Sequence, residues 1–200
     1  PFIIGMLLVL LFGGFGTGNS PELPSSEQTL EEWFCLTNPG EEIDGKDDER
    51  CFHVDALEGQ IDPETGEMLF FGYNAAGLIS EDMAFHVVDK DGTLVRSETF
   101  KAPYASMVHD FMVTREHVIF PIMPLTGSLE RAMTGAPVYA WEPEKGVHIG
   151  IMPRNGSVKD LRWFKGDPSF VFHPMNAHTD NNIVTCDVCE FEQAPLFPWA

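Results

Sequence analysis

Positive charge is scarce: 12 Lys and Arg stand against 31 Asp and Glu, for a formal charge of −19. That excludes nucleic-acid binding through the phosphate backbone, which needs cationic side chains to displace counterions. It also excludes docking on anionic lipid through a polybasic patch. Cysteine is scarce too. Cys35, Cys51, Cys186 and Cys189 are too few in 200 residues for a disulfide scaffold. Cys186 and Cys189 have the spacing of a metal knuckle, but there is no second pair, and residues three apart on a strand face opposite ways. The uncharged apolar stretch at residues 2–12 falls short of the roughly 20 residues that span a bilayer. It has no basic stretch before it of the kind that opens a signal peptide, and it reads as buried strand. No His-Glu-x-x-His pair is present, so the zinc-hydrolase pattern is missing. No amphipathic helix of ten or more residues follows residue 60.

What is present is a strand-and-turn text. The chain starts at Pro1 and ends at Trp199-Ala200, and it reads as a fragment of a longer protein. Residues 17–50 form an acidic, loop-rich segment, with a short helical turn expected at 27–34 behind Ser25 or Ser26 as N-cap. From Ile61 on, short apolar runs alternate with turn signals. Asp62-Pro63-Glu64-Thr65-Gly66-Glu67 is a turn, because proline presets φ and glycine accepts the left-handed position. It feeds a strand at 68–73. Strands at 83–88 and 93–98 are joined by Asp89-Lys90-Asp91-Gly92, a hairpin signal. Further strands are expected at 117–120, ended by Pro121, and then at 138–141, 147–151, 169–173 and 183–188. This is an all-β pattern, a sandwich or a propeller.

Two histidines stand out of this text. His109 lies in Met107-Val108-His109-Asp110-Phe111, beside an acid able to orient it, and His173 lies in Phe170-Val171-Phe172-His173-Pro174-Met175-Asn176-Ala177. They are 64 residues apart, and the Asp62 turn precedes His109 by 47 residues. These intervals are of the order of a four-stranded blade, about 40–50 residues plus loops. A propeller's inner strands converge on one axis, so histidines from successive blades can meet there. Imidazoles held so are a common way to bind a transition metal. The reading requires the two side chains to come within about 5 Å, since each bond to a shared metal is roughly 2 Å. Taken one at a time, each reads first as a core or strand-end histidine satisfied by the backbone. His86, His117, His148 and His178 read as strand or surface histidines.

Together, Ile61-Asp62-Pro63-Glu64-Thr65-Gly66-Glu67-Met68 with Phe71-Gly72-Tyr73, the His109 motif, Met152-Pro153-Arg154 before Arg162-Trp163-Phe164, and the His173 motif resemble the carotenoid cleavage oxygenases. That family includes the lignostilbene dioxygenases and the retinal-pigment isomerase, and the likeness runs from about residue 10 to residue 189. The resemblance implies a partial seven-bladed β-propeller, with about three blades present in residues 1–200. It implies a non-haem Fe(II), Fe(2+), on the axis, held by four histidines with second-shell glutamates. His109 matches the second ligand and His173 the third. The fourth lies beyond this stretch. The sequence departs from the pattern at Glu58, within Ala56-Leu57-Glu58-Gly59-Gln60, where the family has its first histidine, and at Phe12, where a supporting glutamate is expected. Glu58 is either a carboxylate ligand beside two imidazoles, a known Fe(II) arrangement, or the mark of a site degraded in a pseudoenzyme or of a sequence error in this segment.

The activity the resemblance implies is cleavage of a carbon–carbon double bond of a carotenoid, apocarotenoid or stilbene by O2, giving two carbonyl products. Its partners are then an apolar polyene or stilbene and O2, with peripheral membrane contact through apolar loops in a cytoplasmic or plastid-like compartment. Phe111, Phe120 and Phe172 are candidates for a tunnel lining, but taken singly each reads first as plain core. The alternative is an inactive propeller homologue serving as a binding or scaffold module.

Overall fold

A computed structural model describes residues 33–35, 51–53, 57–195 and 197–199, with side chains from residue 59 onward. The acidic segment at 17–50 and the apolar stretch at 2–12 therefore lie outside the described residues, apart from a short pairing of β1 (Trp33–Cys35) with β2 (Cys51–His53). Trp33 and Phe34 are strand here, which corrects the helical turn expected at 27–34. The remainder of that turn lies outside the described residues.

Two four-stranded antiparallel sheets follow. The first is a meander of β3 (Leu57–Ile61), β4 (Met68–Tyr73), β5 (Asp82–Val88) and β6 (Leu94–Lys101). Its turns are made by local side-chain chemistry. Asp62 Oδ1 accepts from the Glu64 amide at 2.7 Å while Gly66 takes φ +75°. Asp89 Oδ1 accepts from the amides of Asp91 and Thr93, with Gly92 at φ +85°. The second sheet contains β7 (Met112–Val113), β8 (His117–Ile122), β11 (Val147–Pro153) and β12 (Arg162–Gly166), in the order β12-β11-β8-β7. Between β8 and β11 the chain makes a side hairpin of β9 (Leu125–Gly127) and β10 (Tyr139–Trp141), which carries the five-residue helix α1 (Leu129–Met133). A last hairpin pairs β13 (Phe170–Asp180) with β14 (Ile183–Phe191). It turns on Asn181 and Asn182 at φ +49° and +63°, the left-handed pair a two-residue hairpin loop needs. The all-β class is as expected. Among the described residues no helix is long and apolar enough to cross a membrane.

Pro121 does not end its strand, contrary to expectation. It pairs with Ile149 inside β8, whereas β7 reaches only Val118 and Ile119. Proline is tolerated at such a place because one side of the strand has no ladder to supply. Glu58-Gly59-Gln60 and Arg162-Trp163-Phe164 became strands without an apolar run of their own, drawn in by pairing with β4 and β11. At Gly150 an added Cβ would lie 2.7 Å from Trp163 Cζ3, so the indole lies flush on bare backbone.

The core lies between the two sheets. Phe71 and Phe85 of the first sheet, Phe120 of the second and Phe111 of the connecting segment are all fully buried and in ring contact. Ion pairs tie the sheets together at the edge of this core. Arg154, after β11, reaches Asp62 at 2.6 Å and Glu67 at 2.8 Å. The Glu64 amide bond and the Arg154 guanidinium hold the Asp62 carboxyl below its ordinary value. Arg154 thus pairs the end of one sheet with the first turn of the other.

On β5, His86 is 2% exposed and stacks on Phe70 with ring centroids 4.9 Å apart. Burial lowers its pKa from 6.5 to about 4. The folded value lies below the unfolded one, so the unfolded chain takes up the proton first as pH falls. Stability is whole above about pH 6.5 and is lost on the way down to about pH 4. Between pH 7 and pH 5 the expected loss is about 2 kcal/mol, read as a fall in the urea midpoint that His86→Phe flattens. A wild-type slope no steeper than the variant's would mean the imidazole keeps its water.

Candidate metal centre

His109 sits on the segment that leaves the first sheet and enters β7. Its neighbours fix the main chain there: Val108 is 3% exposed and Phe111 is fully buried, so both are anchored in the shared core. The Met107 amide donates to the Leu125 carbonyl at 3.1 Å. Gln60 Nε2, from β3, donates to the Phe111 carbonyl at 2.7 Å. His173 is carried by β13, in a stretch where the register with β14 shifts twice, between Val171 and Pro174 and between Pro174 and Asn176. Bulges of this kind re-aim a side chain. Phe170, 1% exposed, pins the start of the strand.

The two imidazoles meet. Their ring centroids are 4.7 Å apart and the planes cross at 75°. The four-stranded sheet β7-β8-β11-β12 and the β9-β10 hairpin lie between them in sequence, which accounts for the 64-residue interval. Phe172 stands edge-on to His109 at 5.8 Å and touches Phe170 at 4.5 Å, so one side of the pair is aromatic.

The electrostatics favour a neutral His109 ring. Burial lowers the His109 pKa, the neighbouring His173 lowers it further, and Asp110 works against both. Neutral imidazole is the form that donates to a metal. Burial raises the Asp110 carboxyl, while the Phe111 amide and both imidazoles draw it down. Asp110 Oδ1 accepts from that amide at 2.7 Å. One oxygen of the acid beside His109 is therefore engaged by the main chain next to it.

As a test of fit to a metal, two imidazoles whose ring centroids lie 4.7 Å apart are close enough to share one ion with bonds of roughly 2 Å. Among the described residues no group of three His, Cys, Asp or Glu side chains is close enough to hold a metal. Glu58 is placed by its backbone alone. It lies on β3 opposite Phe71, two residues before Gln60. Cys186 is half-buried and Cys189 exposed on β14, and neither joins the pair. Of the other histidines, His117 Nδ1 lies 3.1 Å from the Thr179 hydroxyl. Gln60 was not singled out by the sequence; only its parity with Glu58 on β3 could have pointed to it.

The family model of the retinal pigment epithelial membrane protein matches residues 58–200. The chain is 38% identical over 202 residues to isoeugenol monooxygenase of Pseudomonas putida, covering 90% of this chain and 42% of that protein. It is 34% identical to lignostilbene-alpha,beta-dioxygenase isozyme III of Sphingomonas paucimobilis, covering 90% of this chain and 36% of that protein. Among solved structures, Pseudomonas brassicacearum lignostilbene dioxygenase superposes with a TM-score of 0.68 at 35% identity, over 76% of this chain and 32% of the other. The chain thus spans well under half the length of the relatives it matches. With the motifs, the paired histidines and the successive antiparallel sheets, these likenesses show that the chain belongs to the carotenoid oxygenase family, that of the retinal pigment epithelial membrane protein.

Proposed function

We propose that the whole protein is a non-haem Fe(II) oxygenase that cleaves a carbon–carbon double bond with O2 to give two carbonyl fragments. The observation that carries this is the meeting of His109 and His173 at 4.7 Å from separate β units. The double bond is one conjugated to an aromatic ring, as in isoeugenol or a stilbene, rather than one in a long polyene. The isoeugenol monooxygenase of Pseudomonas putida and the lignostilbene dioxygenase of Sphingomonas paucimobilis each match 90% of the chain, at 38% and 34% identity, against 74% at 29% for a plant carotenoid 9,10-cleavage dioxygenase.

His109 and His173 supply two donors, and Glu58 supplies a carboxylate where the family has its first histidine. Two imidazoles and a carboxylate with open positions form a recognised Fe(II) set. When bound, the iron supplies binding and activation of O2. Phe172 and Phe170 exclude water on one side and offer an apolar wall to the substrate. The two four-stranded sheets and the β13-β14 hairpin are two blades and the opening of a third in a seven-bladed propeller.

The test uses the whole protein: about one iron per chain, and aerobic conversion of an isoeugenol- or stilbene-type substrate to two carbonyl products. An iron-free protein inactive on both substrates would overturn the proposal. For Glu58, iron affinity is expected to fall at least about tenfold in Glu58→Gln, since loss of even an outer-shell partner costs that much, and to be retained in Glu58→His. Unchanged affinity in Glu58→Gln would strike the residue from the ligand set.

A further inference from the structure

We propose that Gln60 is a positioning residue for the metal pair: its carboxamide fixes the main chain carrying His109 against the first sheet. This rests on the metal reading above. The Gln60 Nε2 bond to the Phe111 carbonyl, at 2.7 Å, joins residues 51 apart in sequence. The carbonyl it holds belongs to a residue that cannot drift, because Phe111 is fully buried between Phe71 at 5.1 Å and Phe120 at 6.3 Å. His109 stands two residues before that anchor, and Glu58 stands two residues before Gln60 on the strand making the bond. One directional hydrogen bond therefore sets the spacing between the two segments that carry proposed ligands.

The other ties between the two sheets attach elsewhere. Arg154 holds Asp62 and Glu67 and Arg115 pairs with Glu64 at the turn beyond β3, and on β6 Arg96 donates to the Arg154 carbonyl while Glu98 accepts from the Val158 amide. These ties hold the sheets together without touching residues 107–111. Gln60 also faces the third strand of the problem: Gln60, Asp110, Pro174 and Asn176 line one polar cavity of about 230 Å³. Pro174 follows His173 directly, so the amide sits where the histidine-bearing segments and β3 converge. A hydrophobic side chain would fill this place in a strand at least as well. A glutamine whose amide is spent on a main-chain carbonyl is better explained by orientation than by packing.

The experiment compares the wild-type whole protein with Gln60→Met, Arg154→Gln and His173→Ala, loaded with Co(II) in competition with a chelator. Gln60→Met keeps the length of the side chain and removes its donor. It is expected to weaken Co(II) about tenfold and to shift the visible absorption of the bound ion. Arg154→Gln is expected to lower the melting temperature at least as far while leaving affinity and spectrum unchanged. Gln60→Thr, β-branched and suited to a strand, is expected to repeat the metal effect should the methionine variant fold poorly. Wild-type affinity and spectrum in a folded Gln60 variant would overturn the positioning role and leave the metal reading intact. Wild-type Co(II) binding in His173→Ala would remove the metal reading and the role of Gln60 with it.

Discussion

Replacing His173 by alanine in the whole protein is expected to weaken iron at least about a hundredfold and to stop double-bond cleavage, and His109→Ala is expected to do the same. Each imidazole is one of the few donors holding the ion, and the chemistry belongs to that ion rather than to a protein nucleophile or base. The informative comparison is the double variant. Two ligands of one ion act as a unit, so once either is gone the second loss has little left to remove. The double variant should therefore be no worse than either single one. Two independent strand-end histidines would instead give effects that add. His178→Ala is the control. It is exposed on the same strand β13, paired across to Thr185, and should leave iron content unchanged. Iron retained in His173→Ala, or additive losses in the double variant, would show that the rings meet at 4.7 Å for a structural reason.

The two histidines were legible because each is a polar interruption of an apolar run, and strand runs of that kind end near an axis. The turns were legible because their chemistry is local: Asp62 and Asp89 each bond amides two to four residues on. What escaped the sequence was set by partners far away. β3 has little strand propensity in Glu58-Gly59-Gln60, and its state is imposed by β4. Pro121 looked like a stop because a sequence does not show that β7 covers just two residues of β8. Asp110 was legible as an acid able to orient His109, but not the amide of Phe111 that its Oδ1 accepts from. Gln60 could not have been found by motif, since its acceptor is a main-chain carbonyl 51 residues away.

Phe120→Ala is expected to cost about 3–5 kcal/mol of folding stability, a large part of the 5–15 kcal/mol a domain typically holds. Phe120 is fully buried and its ring lies 4.9 Å from Phe100, 5.9 Å from Phe85, 6.4 Å from Phe71 and 6.3 Å from Phe111. It therefore joins β4, β5 and β6 of one sheet to β8 of the other and to the segment carrying His109. Removing the ring leaves a cavity whose walls are backbones in two different sheets, and such walls close only by moving the sheets. Because Phe111 loses its stacking partner in the same step, iron affinity should fall together with stability. Phe120→Leu, which keeps most of the volume, should cost under about 1.5 kcal/mol and restore the affinity. Urea unfolding of the three proteins, with iron content measured on the same samples, decides the matter. An alanine variant with a wild-type midpoint would mean that the two sheets do not share the core on which the position of His109 depends.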